Sequence, residues 1–484
     1  MAEEIKIESQ VNLRILNQKP IFVFLTYDGH GLPVAYRLLQ EGYSVYVGQA
    51  ENISEKKEEE KEKEKRLKLY DGMIEKIPIE KLIKALLKVK NKEKYFVFTD
   101  FSFLYEYSEP LLKAGFRGLL PIKEDYLLEE NREMAKEFVD ENYPAISKKE
   151  HYQFSKVEEA IEFLENEGKD KVWVLKGFHN DAPTVVPIYD NPEIAKEEII
   201  SALQEKRKIY ESEGFLLEEK LTEIIEFVPE ATSFDGKIVG RNICLEIKDF
   251  YPSSRGKGGQ TGCTADIDFW LMENEFEEIY NRFLKPLEEK MLRKNVMTIW
   301  DCGLIYDKKQ KKFFFTEFCI RPGYNAFFSE LSTFPSVGEY FERLIRKEDV
   351  FNPISTHRFG ASFRIFNNTQ NLEKSKPAEI ILLDEYGKKT EIVDRDLWLW
   401  DVQKKDKNFF TVNYDSNLAV ATGSGNDFKR AFDNAWEKTS QIIVNNAYFI
   451  NLEDIYSTSY KNNLIERYLF IRNEFNLENL PIVI

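Results

Sequence analysis

The sequence is poor in the residues that nucleophilic and zinc enzymes rely on. Its 484 residues include four histidines and four cysteines. Cys244, Cys263, Cys302 and Cys319 show no CxxC spacing, which argues against structural zinc and a disulfide framework and fits a reducing cytoplasm. Four histidines leave little for a His-based triad or a His-rich metal site. No apolar run approaches the length of a membrane span. The opening MAEEIKIESQ is acidic and polar, unlike a secretory signal. Surplus positive charge is missing as well. A net charge of −16 argues against general binding of nucleic acid or anionic membranes, which both need excess Lys and Arg. What is present is apolar material, 43% of the chain, enough for about two to four domains with real cores.

The segment 21–48 reads as strand, turn, helix and strand. IFVFLT is a continuous apolar run, as expected of a parallel strand buried on both faces. DGHGLP is the turn, VAYRLLQEGY has helical spacing, and SVYVG is the second strand, the start of a doubly wound sheet. Gly29 and Gly31 let a ligand approach a helix N-terminus, although a bare GxG serves a tight turn equally well. Residues 51–66 are almost wholly charged and predict a solvated helix or loop that buries no face. IEKLIKALLKVK, KYFVFTD and PLLKAGFRGLLP add a helix, a strand, and a helix with a short strand.

These patterns predict an α/β and α+β multidomain chain. A Rossmann-like domain spans 20–125. An α+β domain with an antiparallel sheet follows over 126–345, with a hairpin at Phe234-Asp235-Gly236 and one helix over EEIISALQEKRKIYES. A small α+β domain covers 346–455, and the tail 456–484 reads as an exposed helix.

Alternation in TEFCIRPG places Glu317, Cys319 and Arg321 on one strand face. An acid, a soft ligand and a cation facing one cleft fit a nucleotide with its metal, or simply a hairpin with a charged rim. Lys176 ends the buried strand VWVLKG, where an ammonium favours phosphate or snorkels to water. Arg132 opens the preceding helix and offers a second cation. In FLLEEKL, Glu218 and Glu219 face opposite sides, and Glu226 follows one loop later. The loop Ser253–Gly262 has four glycines with Arg255 and Lys257, suited to an anion or to a plain surface loop.

Taken in order, these pieces resemble the ATP-grasp fold, and more narrowly the glycinamide ribonucleotide synthetase (phosphoribosylamine–glycine ligase) family, over about residues 20–455. The resemblance places a Rossmann-like pre-ATP-grasp domain first, then the ATP-grasp domain and the small C-terminal domain. NREMAKEFVDENYPA resembles a SKAFAKDFM-type helix and VWVLKG a VVKADG strand, which puts Arg132 and Lys176 at phosphate-binding positions. FLLEEKLTEIIEF resembles the hinge, with Glu219, Lys220 and Leu221 at the adenine and Glu226 at the ribose. Lys248 falls near an HKR segment, and TEFCIRPG resembles EFNxRFGD. That implies Lys248 and Arg321 as catalytic residues and Glu317 and Cys319 as magnesium ligands. Asp301 compensates for Gly303, which stands where related ligases carry a metal carboxylate.

The implied cofactors are ATP and magnesium, and the implied partners are small carboxylate and amine substrates, with the chain a monomer or homodimer. Three segments that hold phosphoribosylamine in the family differ here: TYDGHGLPVA, TDFSFL and GCTADIDF. The lid after Lys176 is FHNDAPT, with fewer glycines. The implied reaction is ATP-dependent amide formation, best matched by glycinamide ribonucleotide synthesis in the purine route. The alternatives are a ligase for another amine or amino acid, and a non-catalytic nucleotide-binding relative.

Overall fold

Residues 19–53, 58–178, 184–249, 260–367, 375–456 and 463–482 are described by the structure, a computed structural model. Most of the Ser253–Gly262 loop and of FHNDAPT therefore lies outside the described residues. The run IFVFLT forms β1 (Ile21–Thr26), buried at all positions after Ile21. α1 (Leu32–Gln40) has Pro33 in its first turn, where a missing N–H leaves no bond unmade. β2 (Ser44–Gln49) pairs in parallel with β1. With β3 (Lys76–Pro78), β4 (Tyr95–Thr99) and β5 (Arg117–Leu119) it completes the predicted parallel sheet.

The charged run differs from expectation. It forms α2 (Glu60–Lys68), and Arg66 within it is 0% exposed. Its guanidinium donates to Tyr27 O and Ala50 O at 2.8 Å and to Glu51 O at 2.9 Å. It also pairs with Glu58 at 2.9 Å. Arginine is tolerated inside when its fork of donors is met this fully, and composition cannot show the partners.

The next unit begins with α3 (Lys123–Glu130) and α4 (Arg132–Asn142). A three-stranded antiparallel sheet follows: β6 (His151–Phe154), β7 (Trp173–Gly177) and β8 (Phe215–Glu219), with β8 central. It has its own core, including Leu164, Trp173, Leu175, Ile199 and Phe215. The single helix predicted over 197–212 is two, Pro192–Glu205 and Arg207–Glu213, because Lys206 leaves helical geometry (φ −111°, ψ 24°).

The large sheet continues through β9 (Ile224–Phe234), β10 (Lys237–Asp249), β11 (Gln260–Trp270), β12 (Val296–Asp307) and β13 (Lys312–Cys319). The predicted β9–β10 hairpin turns through Asp235 (φ 47°) and Gly236 (φ 81°), the left-handed pair that a tight two-residue turn requires. Next come a short helix, α5 (Ala326–Ser332), then β14 (Phe359–Asn367), β15 (Leu397–Leu399), β16 (Asn417–Gly425) and α6 (Phe428–Thr439).

One sheet runs in the order β15-β16-β14-β11-β10-β9-β12-β5-β4-β1-β2-β3, with β13 beside β12. It crosses both expected boundaries, because β5 pairs with β12 and β11 with β14.

The tail also departs from expectation. α7 (Leu464–Glu474) is not exposed: Leu464, Tyr468 and Ile471, spaced four and three apart, are 0% exposed and pack on the sheet. Its Arg467 donates to Glu226 O and Glu246 O, both at 2.6 Å. Among the described residues, no helix is long and apolar enough to cross a membrane.

Candidate active site

Alternation along β13 sorts its side chains. Phe318 and Ile320 are buried in the core, so Glu317, Cys319 and Arg321 share the opposite face, as predicted. Glu317 is exposed to that side. Asp301 in β12 sits opposite Cys319 and opposite Glu230 of β9. Gly303 has no space for a carboxylate, since a Cβ there would lie 2.3 Å from Thr316 Oγ1 and 3.1 Å from Glu317 O. Asp301 is the acid the strand offers instead. Its buried Oδ1 has no hydrogen-bond donor among the described residues. Burial first, and then the Glu230 charge, holds its carboxyl well above the usual range.

Cys319 behaves differently. Its Sγ donates to Arg321 O at 3.5 Å, and burial holds the thiol well above its ordinary pKa. Sulfur is a soft ligand that a hard cation does not favour, so the expected Cys319 ligand does not fit.

Arg321 lies 2.9 Å from Glu129 Oε1 and stacks over Phe101 and Tyr324 at 4.9 and 4.7 Å. Its Nη1 has no acceptor among the described residues. Beneath this face Glu230, Asp268 and Glu330 are buried, and burial raises each well above the usual carboxyl range.

On the β6–β8 sheet, Lys176 is the penultimate residue of β7. The facing acid is Glu218, 2% exposed, which accepts from Lys176 at 2.8 Å, from Lys149 at 3.0 Å and from Lys136. Burial opposes the Glu218 charge, but the three ammonium groups outweigh it and its pKa falls well below normal. Burial lowers Lys149 to about 8. Three cations around one carboxylate leave net positive charge for an anionic ligand. Arg132 joins this end of the cleft by donating to Gly177 O at 2.7 Å.

Sequence reasoning missed Lys136, Lys149 and Glu218. Lys136 lies four residues after Arg132, one turn along the same helix face, and that spacing was a usable signal. Lys149 carried none. For Glu218 the signal was strand period: Lys176 pairs with Leu216, so Glu218 rather than Glu219 shares the lysine face.

Glu219 points outward, 3.7 Å from Lys171. The Glu219 and Lys220 amides donate to Glu150 O and Val172 O at 3.0 and 2.8 Å, so neither is open to an adenine edge. Lys220 Nζ is held by Pro187 O at 2.5 Å and Asp190 at 3.0 Å. Of the expected hinge, Leu221 lies beyond the strand.

Glu226 and Lys248 pair at 2.6 Å, with Glu246 3.6 Å from the same ammonium. Burial works against the Glu226 charge, yet Lys248, Arg467 and Lys149 together lower its pKa. Glu317 acts on both Lys248 and Glu246. Charge therefore links Lys149 beside Glu218 to Glu226, and the Glu226–Lys248 pair to Glu317.

Beside Tyr324 lies a cavity of about 430 Å³ lined by Asp28, His30, Arg364, Tyr414 and Asp415 among others.

No protein-family profile matches the sequence, and no curated protein matches it. Solved structures do match. Phosphoribosylamine–glycine ligase from Thermotoga maritima is 16% identical with a TM-score of 0.59, covering 88% of this chain and 98% of its own. The biotin carboxylase domain of 2-oxoglutarate carboxylase from Hydrogenobacter thermophilus, crystallised as a dimer with MgADP, ADP and bicarbonate, is 13% identical with a TM-score of 0.58 over 94% and 99%. L-amino acid ligase from Bacillus licheniformis is 13% identical with a TM-score of 0.52 over 90% and 100%. The architecture is the multidomain ATP-grasp fold that the sequence resemblance implied.

Proposed function

We propose that this chain is an ATP-dependent carboxylate–amine ligase. The observation that supports it most is the pairing of opposites across the cleft. Lys176 of β7, Lys149 just before β6 and Lys136 of α4 surround Glu218 of the β6–β8 sheet, and Glu317 and Asp301 stand on the large sheet. That distribution suits a triphosphate on one side and its counter-cation on the other. Two carboxylates are a normal protein contribution to magnesium, which keeps water and takes phosphate oxygens for the rest. Glu317 and Asp301 would hold it, and it would neutralise charge on the transferring phosphoryl group.

A substrate carboxylate oxygen attacks the γ-phosphorus of ATP. The new P–O bond forms as the bond to the β-phosphate oxygen breaks, and ADP leaves. The amine nitrogen then attacks the acyl carbon, the C–O bond to phosphate breaks, and phosphate departs with the electron pair and accepts the amine proton. Arg321, with an open N–H edge, faces the charge that collects on the acyl phosphate. No protein nucleophile is needed, in keeping with four histidines.

The finer reading, phosphoribosylamine–glycine ligase activity in purine biosynthesis, is supported by likeness to the Thermotoga enzyme and by the nucleotide-half motifs. A ligase for another amine is the second reading, and the acid-lined cavity favours it. Lys176→Ala is expected to abolish ADP formation with any carboxylate and amine pair. Undiminished turnover in that variant removes the ATP assignment.

A further inference from the structure

Resting on the ligase reading above, we propose that the amine substrate is itself an amino acid, held with its ammonium toward Asp28 and Asp415 and its carboxylate toward Arg364. The cavity beside Tyr324 is where the acceptor would sit. Arg321 stacks on the same Tyr324 ring, which puts the cavity next to the guanidinium that would face the acyl phosphate. Its volume, about 430 Å³, lies in the range of small-ligand sites.

Charge decides the class of acceptor. Asp28, Glu62 and Asp415 line the cavity, against the guanidinium of Arg364 and the imidazole of His30. A phosphate dianion there would face three carboxylates, whereas an ammonium is attracted by all of them.

The backbone argues the same way. Phosphate sites at helix starts use open N–H groups. In the DGHGLP turn, Gly29 N donates to Thr26 Oγ1 at 2.9 Å and Gly31 N to Asp100 Oδ2 at 2.8 Å. Both glycine N–H groups of the turn are therefore already in use.

Arg364 supplies the opposite pole. It is 2% exposed, and two bonds fix it: Nε to Asn325 Oδ1 at 2.8 Å and Nη1 to Asn417 Oδ1 at 3.4 Å. Its Nη2 has no acceptor among the described residues. A buried, immobilised guanidinium with one unused edge is suited to a carboxylate. Asp415 is also set in place, by Ser416 Oγ at 3.2 Å and by Asn417 N and Nδ2 at 3.2 and 3.1 Å. Asp28 lies 3.9 Å from His30 Nε2, and the His30 ring packs against Phe101, Tyr324 and Trp400 at 4.4, 4.7 and 4.5 Å. The two poles therefore belong to a rigid aromatic frame.

The test measures ADP release by the full chain with ATP, magnesium and a panel of carboxylates. Three acceptor sets are compared: the common L-amino acids, their C-terminal amides, and glucosamine 6-phosphate as a phosphorylated amine. Amino acids are expected to support turnover, their amides to show a KM at least about tenfold higher, and the phosphorylated amine to be inert. Arg364→Gln should erase the difference between acid and amide. Asp415→Asn should raise the amino-acid KM with a smaller change in kcat. Because the wild-type comparison stands without any variant, a folding defect cannot mask the answer. Turnover with glucosamine 6-phosphate and none with amino acids overturns this inference and leaves the ligase reading intact. No ADP release with any acceptor overturns the ligase reading itself.

Discussion

Asp301 and Asp100 are both buried acids, and their surroundings give them different consequences. Asp301 has an orphaned oxygen beside Cys319 in a strand whose next same-face position, Gly303, cannot hold a side chain. Asp301→Asn keeps the shape and removes the ionisable carboxyl. Its magnesium requirement for ADP release should rise at least about tenfold, the scale on which metal-site substitutions act. An unchanged magnesium titration would exclude Asp301 from the site.

Asp100, 3% exposed, accepts from Thr26 Oγ1 at 2.5 Å and Gly31 N at 2.8 Å, both on one oxygen. Burial, and then the Asp28 charge, raises it from 3.8 to about 8. Between those values the folded chain binds a proton that the unfolded chain releases. Stability from this group is therefore complete below about pH 4 and is lost as pH rises toward about 8. Urea midpoints measured across that window should decline less steeply in Asp100→Asn. Equal slopes in the two proteins would show that Asp100 does not carry the proton.

Among the secondary elements, α7 ties the chain's end to the site. Its Arg467 holds the carbonyls of Glu226 and Glu246, the two residues whose carboxylates flank Lys248. Arg467→Ala removes both bonds and should lower stability by about 3 kcal/mol, read as a shift in the urea midpoint. The tail with Leu464, Tyr468 and Ile471 reads as an exposed helix in the sequence, since nothing local says which sheet face is uncovered. The same holds for α2. A run of alternating charges reads as solvated, and only the fold brings Tyr27, Ala50 and Glu51 carbonyls around Arg66. Strands were more readable. Alternation placed Glu317 and Arg321 together correctly, and the same rule applied to β7 and β8 selects Glu218, where motif likeness had selected Glu219.

At the scale of the whole molecule, the β6–β8 sheet carries its own core, and charge links Lys149, just before it, to Glu226 of the large sheet. A ligand that bridges the two parts stabilises the folded chain by mass action. ATP with magnesium at a hundredfold excess over its Kd should stabilise the chain by about 2.7 kcal/mol, seen as a higher thermal midpoint. Lys176→Ala should lose that shift, measured against its own ligand-free midpoint. An equal shift in the variant would place the nucleotide elsewhere.

The sequence by itself determined the order of elements, the faces of individual strands and the ATP-grasp likeness. These depend on periodicity and turn chemistry between near neighbours. Only the tertiary structure decided that Glu218 gathers three lysines, that Gly303 must stay bare, that the tail covers the sheet, and that carboxylates and one buried arginine line the cavity beside Tyr324. Each of these joins residues far apart in the chain, and their charges and volumes act on one another only once folding has brought them within a few ångströms.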